Sequence, residues 1–168
     1  MKTVYILSTG GTIEKRYEEA SGRLVNLAPK LQEFLKNLRL HNTNVRVQSL
    51  MNKDSLDLTE ADLLLLLSRV AALASEGFPI VITHGTDTMT HTATFLQQSL
   101  VTVGVPVVLT GAIVPLGFER SDGMQNITES LIVLRFLNPG FYIVMHGECH
   151  CAGAVKKDVV NSRFISNV

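Results

Sequence analysis

Five short β-rich runs alternate with segments of helical periodicity, and this alternation limits the folds open to the chain more than any other feature. The runs are Thr3–Leu7, Val45–Ser49, Pro79–Thr83, Val105–Leu109 and Phe141–Met145. Four of the five are near-continuously apolar, the pattern of strands covered on both faces. Pro29–Arg39 places Leu31, Phe34, Leu35 and Leu38 on one helical stripe, with Pro29 in the first turn. Thr59–Glu76 opens with Thr59-x-x-Asp62, an acidic variant of the capping box, and stops at Gly77. Thr90–Leu100 and Asp122–Leu137 complete the set, the latter capped by Ser121. Strand and helix alternating at this spacing give βαβ units with right-handed crossovers. The expected fold is α/β: a doubly wound, mostly parallel sheet with helices on both faces.

Sheets of this kind bind ligands at the carboxyl ends of their strands. Those ends read Ser8-Thr9-Gly10-Gly11-Thr12, Asn52-Lys53-Asp54-Ser55, His84-Gly85-Thr86-Asp87-Thr88, Thr110-Gly111-Ala112 and His146-Gly147-Glu148. Turn chemistry alone favours Gly and Asp. The concentration of threonine is not a turn preference and marks a site.

Length and charge narrow the partners. The 168 residues fit one domain and bury a core without help from disulfides or metals. Fifteen basic residues balance fifteen acidic ones, which argues against a nucleic-acid partner and against an acidic membrane surface. No apolar stretch outruns Leu63–Leu67, so no membrane span and no signal-peptide core is expected. Two cysteines, Cys149 and Cys151, make no disulfide framework, and a cytoplasmic location is the reading.

Two clusters carry chemistry. In Thr9-Gly10-Gly11-Thr12 the glycines let backbone amides approach a ligand, and the Thr12 hydroxyl stands beside donors able to hold an oxyanion. It is neither a P-loop nor a G-x-G-x-x-G turn. In His84-Gly85-Thr86-Asp87-Thr88 a helix start follows, so Thr86 or Asp87 could be a simple cap. A threonine is a poor nucleophile until a base takes its proton. Lys156 and Lys157, the only lysines after Lys53, are candidates for that base, against a plain surface pair. His146-Gly147-Glu148-Cys149-His150-Cys151 resembles a metal cluster. On a strand, however, His146, Glu148 and His150 would face one side and the thiols the other.

Thr9-Gly10-Gly11-Thr12-Ile13 and His84-Gly85-Thr86-Asp87-Thr88-Met89 together resemble the two signatures of the bacterial-type L-asparaginases, which are cofactor-free amidohydrolases. Asp54-Ser55-x-Asp57-Leu58-Thr59, Thr110-Gly111-Ala112, Ser121-Asp122-Gly123 and Val155-Lys156-Lys157 are similar to further family segments. The resemblance implies hydrolysis of L-asparagine to L-aspartate and ammonia through a threonyl acyl-enzyme, without metal or cofactor. It makes Thr12 the nucleophile, with Thr86, Asp87 and Lys157 as the second cluster. Asp87 would hold the substrate α-amino group, and Ser55 with the backbone at Asp54 would hold its carboxylate. The Gly11 and Thr86 amides would serve as oxyanion donors. Lys157 is preferred to Lys156 by motif register. The family's loop tyrosine has Tyr17 as its candidate, only five residues beyond Thr12, with Glu14 and Glu19 as other polar groups of that loop. Two-domain relatives continue well past this length, so residues 1–168 read as one N-terminal-type domain without a C-terminal domain, either a short-chain member or a fragment. A small amino-acid substrate and a homo-oligomer, dimer or tetramer, are the expected partners. The competing readings are a glutaminase-asparaginase, the amidase part of an amidotransferase, and a non-catalytic binder of aspartate or asparagine.

Overall fold

The computed structural model describes residues 2–27 and 31–167. Its strands are β1 (Lys2–Gly10), β2 (Lys15–Glu18), β3 (Arg23–Asn26), β4 (Thr43–Lys53), β5 (Ile80–Thr83), β6 (Pro106–Thr110), β7 (Gly140–Met145), β8 (Glu148–Cys151), β9 (Val155–Asp158) and β10 (Arg163–Ser166). Its helices are α1 (Leu31–Leu35), α2 (Glu60–Ser75), α3 (Met89–Ser99) and α4 (Gly123–Val133). The central sheet runs β4-β1-β5-β6-β7-β8, parallel throughout except for the antiparallel edge strand β8. All five expected strands are present, and the α/β reading holds.

The two faces of the sheet separate along each strand with period two, as the pleat requires. Tyr5, Leu7, Ile80, Ile82, Val107 and Leu109 face α2 and α3, where they bury Leu66, Val70, Leu73, Ala93 and Leu96. Val4, Ile6, Val81 and Val108 face α1 and α4, where they bury Leu31, Ile127 and Leu131. This two-sided burial is why the strands read as unbroken apolar runs. Each fully buried Leu or Ile contributes about 1.5–3 kcal/mol relative to exposure.

Helix α2 carries the expected box: the Thr59 side chain accepts from Asp62 N–H, and the Asp62 carboxylate accepts from Thr59 N–H. The first helix ends at Leu35, short of the Arg39 expected from the pattern. Its stripe residues Leu31, Phe34, Leu35 and Leu38 do pack on the core, while Pro29 lies outside the described residues. The cap of α4 is Asp122 rather than Ser121. Ser121 Oγ accepts from Gly123 N–H, and the Asp122 carboxylate is drawn away to the β6 loop.

Two antiparallel hairpins, β2–β3 and β9–β10, were not foreseen. The second lies on the α2/α3 side, anchored by Val155 and Phe164 in that core. A two-residue turn at His146 (φ 54°) and Gly147 (φ 79°) reverses the chain from β7 into β8, the geometry of a type I′ hairpin. His146 is therefore a turn residue and does not share a strand face with Glu148 and His150.

Candidate active site

The chain leaves β1 to build β4 on one side and β5 on the other, so the strand order reverses direction at β1. A crevice at such a reversal, outside the carboxyl ends, is where open α/β sheets bind ligands. The three loops that meet there carry Thr12, Ser55 and Thr86.

Close backbone packing joins them. Gly11, at φ 77°, lies so near Gly85 that a Cβ would collide with the Gly85 amide and Cα. A Cβ on Gly85 would in turn sit 2.5 Å from Ser55 Cβ and Oγ. Glycine at both positions is thus a requirement of contact between loops, and it brings the segments of Thr12, Thr86 and Ser55 together. The Gly11 N–H donates to Lys53 O at 2.8 Å. That amide is engaged within the fold, which corrects its expected use as a free oxyanion donor.

Lys157 reaches in from β9. Its Nζ donates to Thr86 Oγ1 at 2.8 Å and to Asp87 Oδ1 at 2.6 Å. Lys156, its neighbour, points to the exposed side. The cap of α3 is Thr88, whose hydroxyl donates to Ser55 O at 3.0 Å, so neither Thr86 nor Asp87 is spent as a cap. Thr86 is buried, whereas the Asp87 side chain is 52% exposed and meets Lys157 through Oδ1, leaving Oδ2 on the open side of that pair. Ser55 is 3% exposed, and its buried hydroxyl has no partner among the described residues. An unsatisfied buried hydroxyl costs about 1–3 kcal/mol unless a ligand supplies a partner.

Asp54 does not face the crevice in the same way. Its Oδ2 pairs with Lys15 Nζ at 2.5 Å, and its Oδ1 accepts from Leu56 N–H, capping the 3-10 turn Ser55–Asp57. The Lys15 ammonium holds the Asp54 carboxyl below its ordinary range. Tyr17 is 60% exposed on β2 and lines a cleft of about 240 Å³ with Phe34, Leu116 and Phe118. Glu14 is buried and accepts from Ser8 Oγ. Thr12 opens the 3-10 turn Thr12–Glu14, directly after the Gly10-Gly11 bend, and is partly exposed.

His146–Cys151 divides into separate contacts. His146 Nε2 meets Asp122 Oδ2 at 2.7 Å, His150 Nε2 meets Glu148 Oε2 at 3.0 Å, and both cysteines are free and exposed. Among the described residues no group of three or more His, Cys, Asp or Glu is placed to hold a metal ion, and no helix is long and apolar enough to cross a membrane.

The family model for the asparaginase N-terminal domain matches residues 3–164. The chain belongs to the asparaginase family. L-asparaginase 1 of Escherichia coli is 36% identical over 137 residues, 79% of this chain and 40% of that protein. A component of the glutamyl-tRNA(Gln) amidotransferase of Methanococcus vannielii is 31% identical over 157 residues, 88% of this chain and 35% of that protein. Among solved structures, the thermostable L-asparaginase of Thermococcus kodakarensis superposes with a TM-score of 0.83 at 27% identity, covering 98% of this chain and 51% of that one. L-asparaginase I of Vibrio cholerae gives 0.82 at 28% identity, with the same coverage. The chain thus spans about half or less of these relatives' length.

Two residues that brace these loops, Asn26 and His84, have no role assigned by the sequence pattern. Asn26 Nδ2 donates to Gly11 O at 3.0 Å and to Asn52 Oδ1 at 3.1 Å, bracing the Thr12 loop from β3. His84 is fully buried, with Nδ1 on Gly85 O at 2.7 Å and Nε2 on Thr92 Oγ1 at 3.0 Å, so it shapes the bend before Thr86. Burial pushes its ring down from the ordinary value. Its place inside the second signature was the available signal. Asn26 offered none, because its role needs a hairpin that local pattern does not show.

Proposed function

We propose that this chain hydrolyses L-asparagine to L-aspartate and ammonia through a threonyl acyl-enzyme. The observation that carries the reading is the contact of Lys157 with both Thr86 and Asp87, beside the glycine-packed loop of Thr12. In this mechanism Thr12 Oγ1 attacks the side-chain amide carbon, its hydroxyl proton passes to the amide nitrogen, the tetrahedral intermediate collapses with loss of ammonia, and water then attacks the ester, returning a proton to Thr12 as aspartate leaves. The Lys157 ammonium donates to Thr86 Oγ1 and so leaves the Thr86 hydroxyl proton free to orient the reacting amide and then the water. Asp87 Oδ2, the oxygen not held by Lys157, takes the substrate ammonium, and the Ser55 hydroxyl, without a partner among the described residues, takes its α-carboxylate. With the Gly11 amide engaged, the Thr86 N–H is the oxyanion donor of this scheme. Tyr17 is assigned to a closing arm over Thr12. No cofactor enters any step. A homo-oligomer in the cytoplasm completes the proposal, and a monomer in sedimentation at micromolar concentration would overturn the oligomer.

The test is ammonia release from millimolar asparagine by the chain and its Thr12→Ala variant, with glutamine alongside. Release from asparagine that disappears in the variant supports the reading, and equal release by both sinks it. The likeness to the amidotransferase component supports a second reading, glutamine as the ammonia source, and faster release from glutamine would favour it. A melting temperature raised by aspartate, with no ammonia released from either amide, would mean a binding domain.

A further inference from the structure

Lys15 lies three residues beyond Thr12, at the first position of β2, and stands opposite Asn26 in the hairpin register. Both residues at this hairpin base reach to one segment, the end of β4 and the turn directly after it. Lys15 pairs with Asp54 at 2.5 Å, and Asn26 bonds Asn52 at 3.1 Å while also holding Gly11 O. Asp54 immediately precedes Ser55, and its other oxygen accepts from Leu56 N–H, so it shapes the turn that presents Ser55. The ion pair is partly sheltered, with side-chain exposures of 22% and 30%. It joins the β2–β3 arm, which carries Tyr17 and follows directly on the Thr12 turn, to the turn that carries Ser55, which the backbone bond from Gly11 to Lys53 alone does not orient.

We propose that Lys15 is a positioning residue: its ion pair with Asp54 fastens the β2–β3 arm to the Ser55 turn and so sets the distance between the nucleophile and the carboxylate-binding hydroxyl. The proposal rests on the asparagine-hydrolysing reading for its kinetic part, and its structural part stands alone. Lys15 touches no reacting atom in this scheme. A substrate held at one end by Ser55 and attacked at the other by Thr12 needs that spacing fixed before it binds. Loss of the fastener therefore weakens productive binding more than it slows the chemical step, because the Thr12 loop keeps its bonds to Lys53 and Asn26.

Three variants separate this role from a purely structural one. Lys15→Met raises KM for asparagine about fivefold with kcat held within about twofold, a size typical of one partly exposed ion pair. Lys15→Arg restores KM. In an Asp54→Asn background, where an oxygen remains for Leu56 N–H, Lys15→Met has no further effect on KM. Hydrogen exchange of the amides in residues 13–26 quickens about fivefold in Lys15→Met and in no other part of the sheet. Unchanged KM and unchanged exchange in Lys15→Met would overturn the proposal, as would an undiminished Lys15→Met effect in the Asp54→Asn background. If the unaltered chain releases no ammonia, the hydrolytic reading has failed. The exchange of residues 13–26 then decides the fastener by itself: quickened in Lys15→Met it stands, unchanged it falls.

Discussion

Lys157 Nζ stands 2.8 Å from Thr86 Oγ1 although 71 residues separate them in the chain. The contact exists because Val155 and Phe164 bury the β9–β10 hairpin against the α2/α3 face and carry Lys157 over the start of α3. Lys157→Met removes the charge on Thr86 and leaves the hairpin's apolar anchors in place. Ammonia release is expected to fall by about 10²–10⁴-fold, the range for losing one proton-managing group, with the circular dichroism unchanged. Lys156→Met, on the exposed side, is expected to leave the rate intact. Equal effects of the two substitutions would contradict the register.

The crevice depends on glycine at the crossing of the loops. Gly85→Ala puts a Cβ 2.5 Å from Ser55, and the loops must part to admit it. The expected cost is about 1–3 kcal/mol in chemical denaturation, together with loss of most ammonia release as Ser55 and Thr86 separate. Gly104→Ala, where nothing lies within 4 Å, is the control and is expected to be neutral. A Gly85→Ala chain of unaltered stability and rate would mean that the loops are not in contact.

What the sequence displayed and what it concealed divide along physical lines. Buried strands such as Ile80–Thr83 are apolar on both sides because both sides are covered, so they stand out in any short window. Thr12 and Thr86 lie directly beyond such strands and were legible with them, whereas Ser55 follows the half-buried edge strand β4. The hairpin Lys15–Glu18 and Arg23–Asn26 reads as a polar loop. Side chains from distant segments fix it, Lys15 to Asp54 and Asn26 to Asn52, and no local pattern encodes that. Lys157 could be told from Lys156 only by motif register, since a slip of one residue exchanges the faces of a strand. The cap of α4 moved to Asp122 for a similar reason: its carboxylate is claimed by the β6 loop, a tertiary contact invisible from Ser121 onward.

His84 gives the second signature a pH dependence of its own. Burial lowers its pKa from the ordinary 6.5, and both ring nitrogens are engaged by neutral partners. Between 6.5 and the lower folded value, the unfolded chain binds a proton that the folded chain refuses. The unfolded state then holds more protons, so stability rises with pH and is lost on acidification. From about pH 7 to about pH 5.5, above the titration of ordinary carboxylates, urea unfolding is expected to lose up to about 1.4 kcal/mol for each unit below about 6.5. His84→Gln is expected to be less stable at neutral pH and flatter across this range. The same slope in both chains would assign the dependence elsewhere.

Asp122 organises the far wall of the carboxyl-end face. Its side chain, 15% exposed, accepts from Ile113 N–H at 3.0 Å, Val114 N–H at 2.9 Å and Asn126 Nδ2 at 2.9 Å, and meets His146 Nε2 at 2.7 Å. Burial pushes its carboxyl up, but the Val114 and Ile113 amides and the His146 ring outweigh that and hold it below its ordinary range. Asp122→Ala strands two backbone donors and one amide at once. About 3 kcal/mol of stability is expected to go, more than any single hydrogen bond would account for. Asp122→Asn keeps an acceptor oxygen for the loop and turns the second oxygen into a donor, so it is expected to cost less than half as much. Because the folded carboxyl titrates below its unfolded value, the advantage of Asp over Asn is fully present above the ordinary carboxylate range. It fades as pH falls through the lowered folded value. Chemical denaturation of the three chains at neutral and acid pH checks both points, and an Asp122→Ala loss below about 1 kcal/mol would show that the loop finds other acceptors.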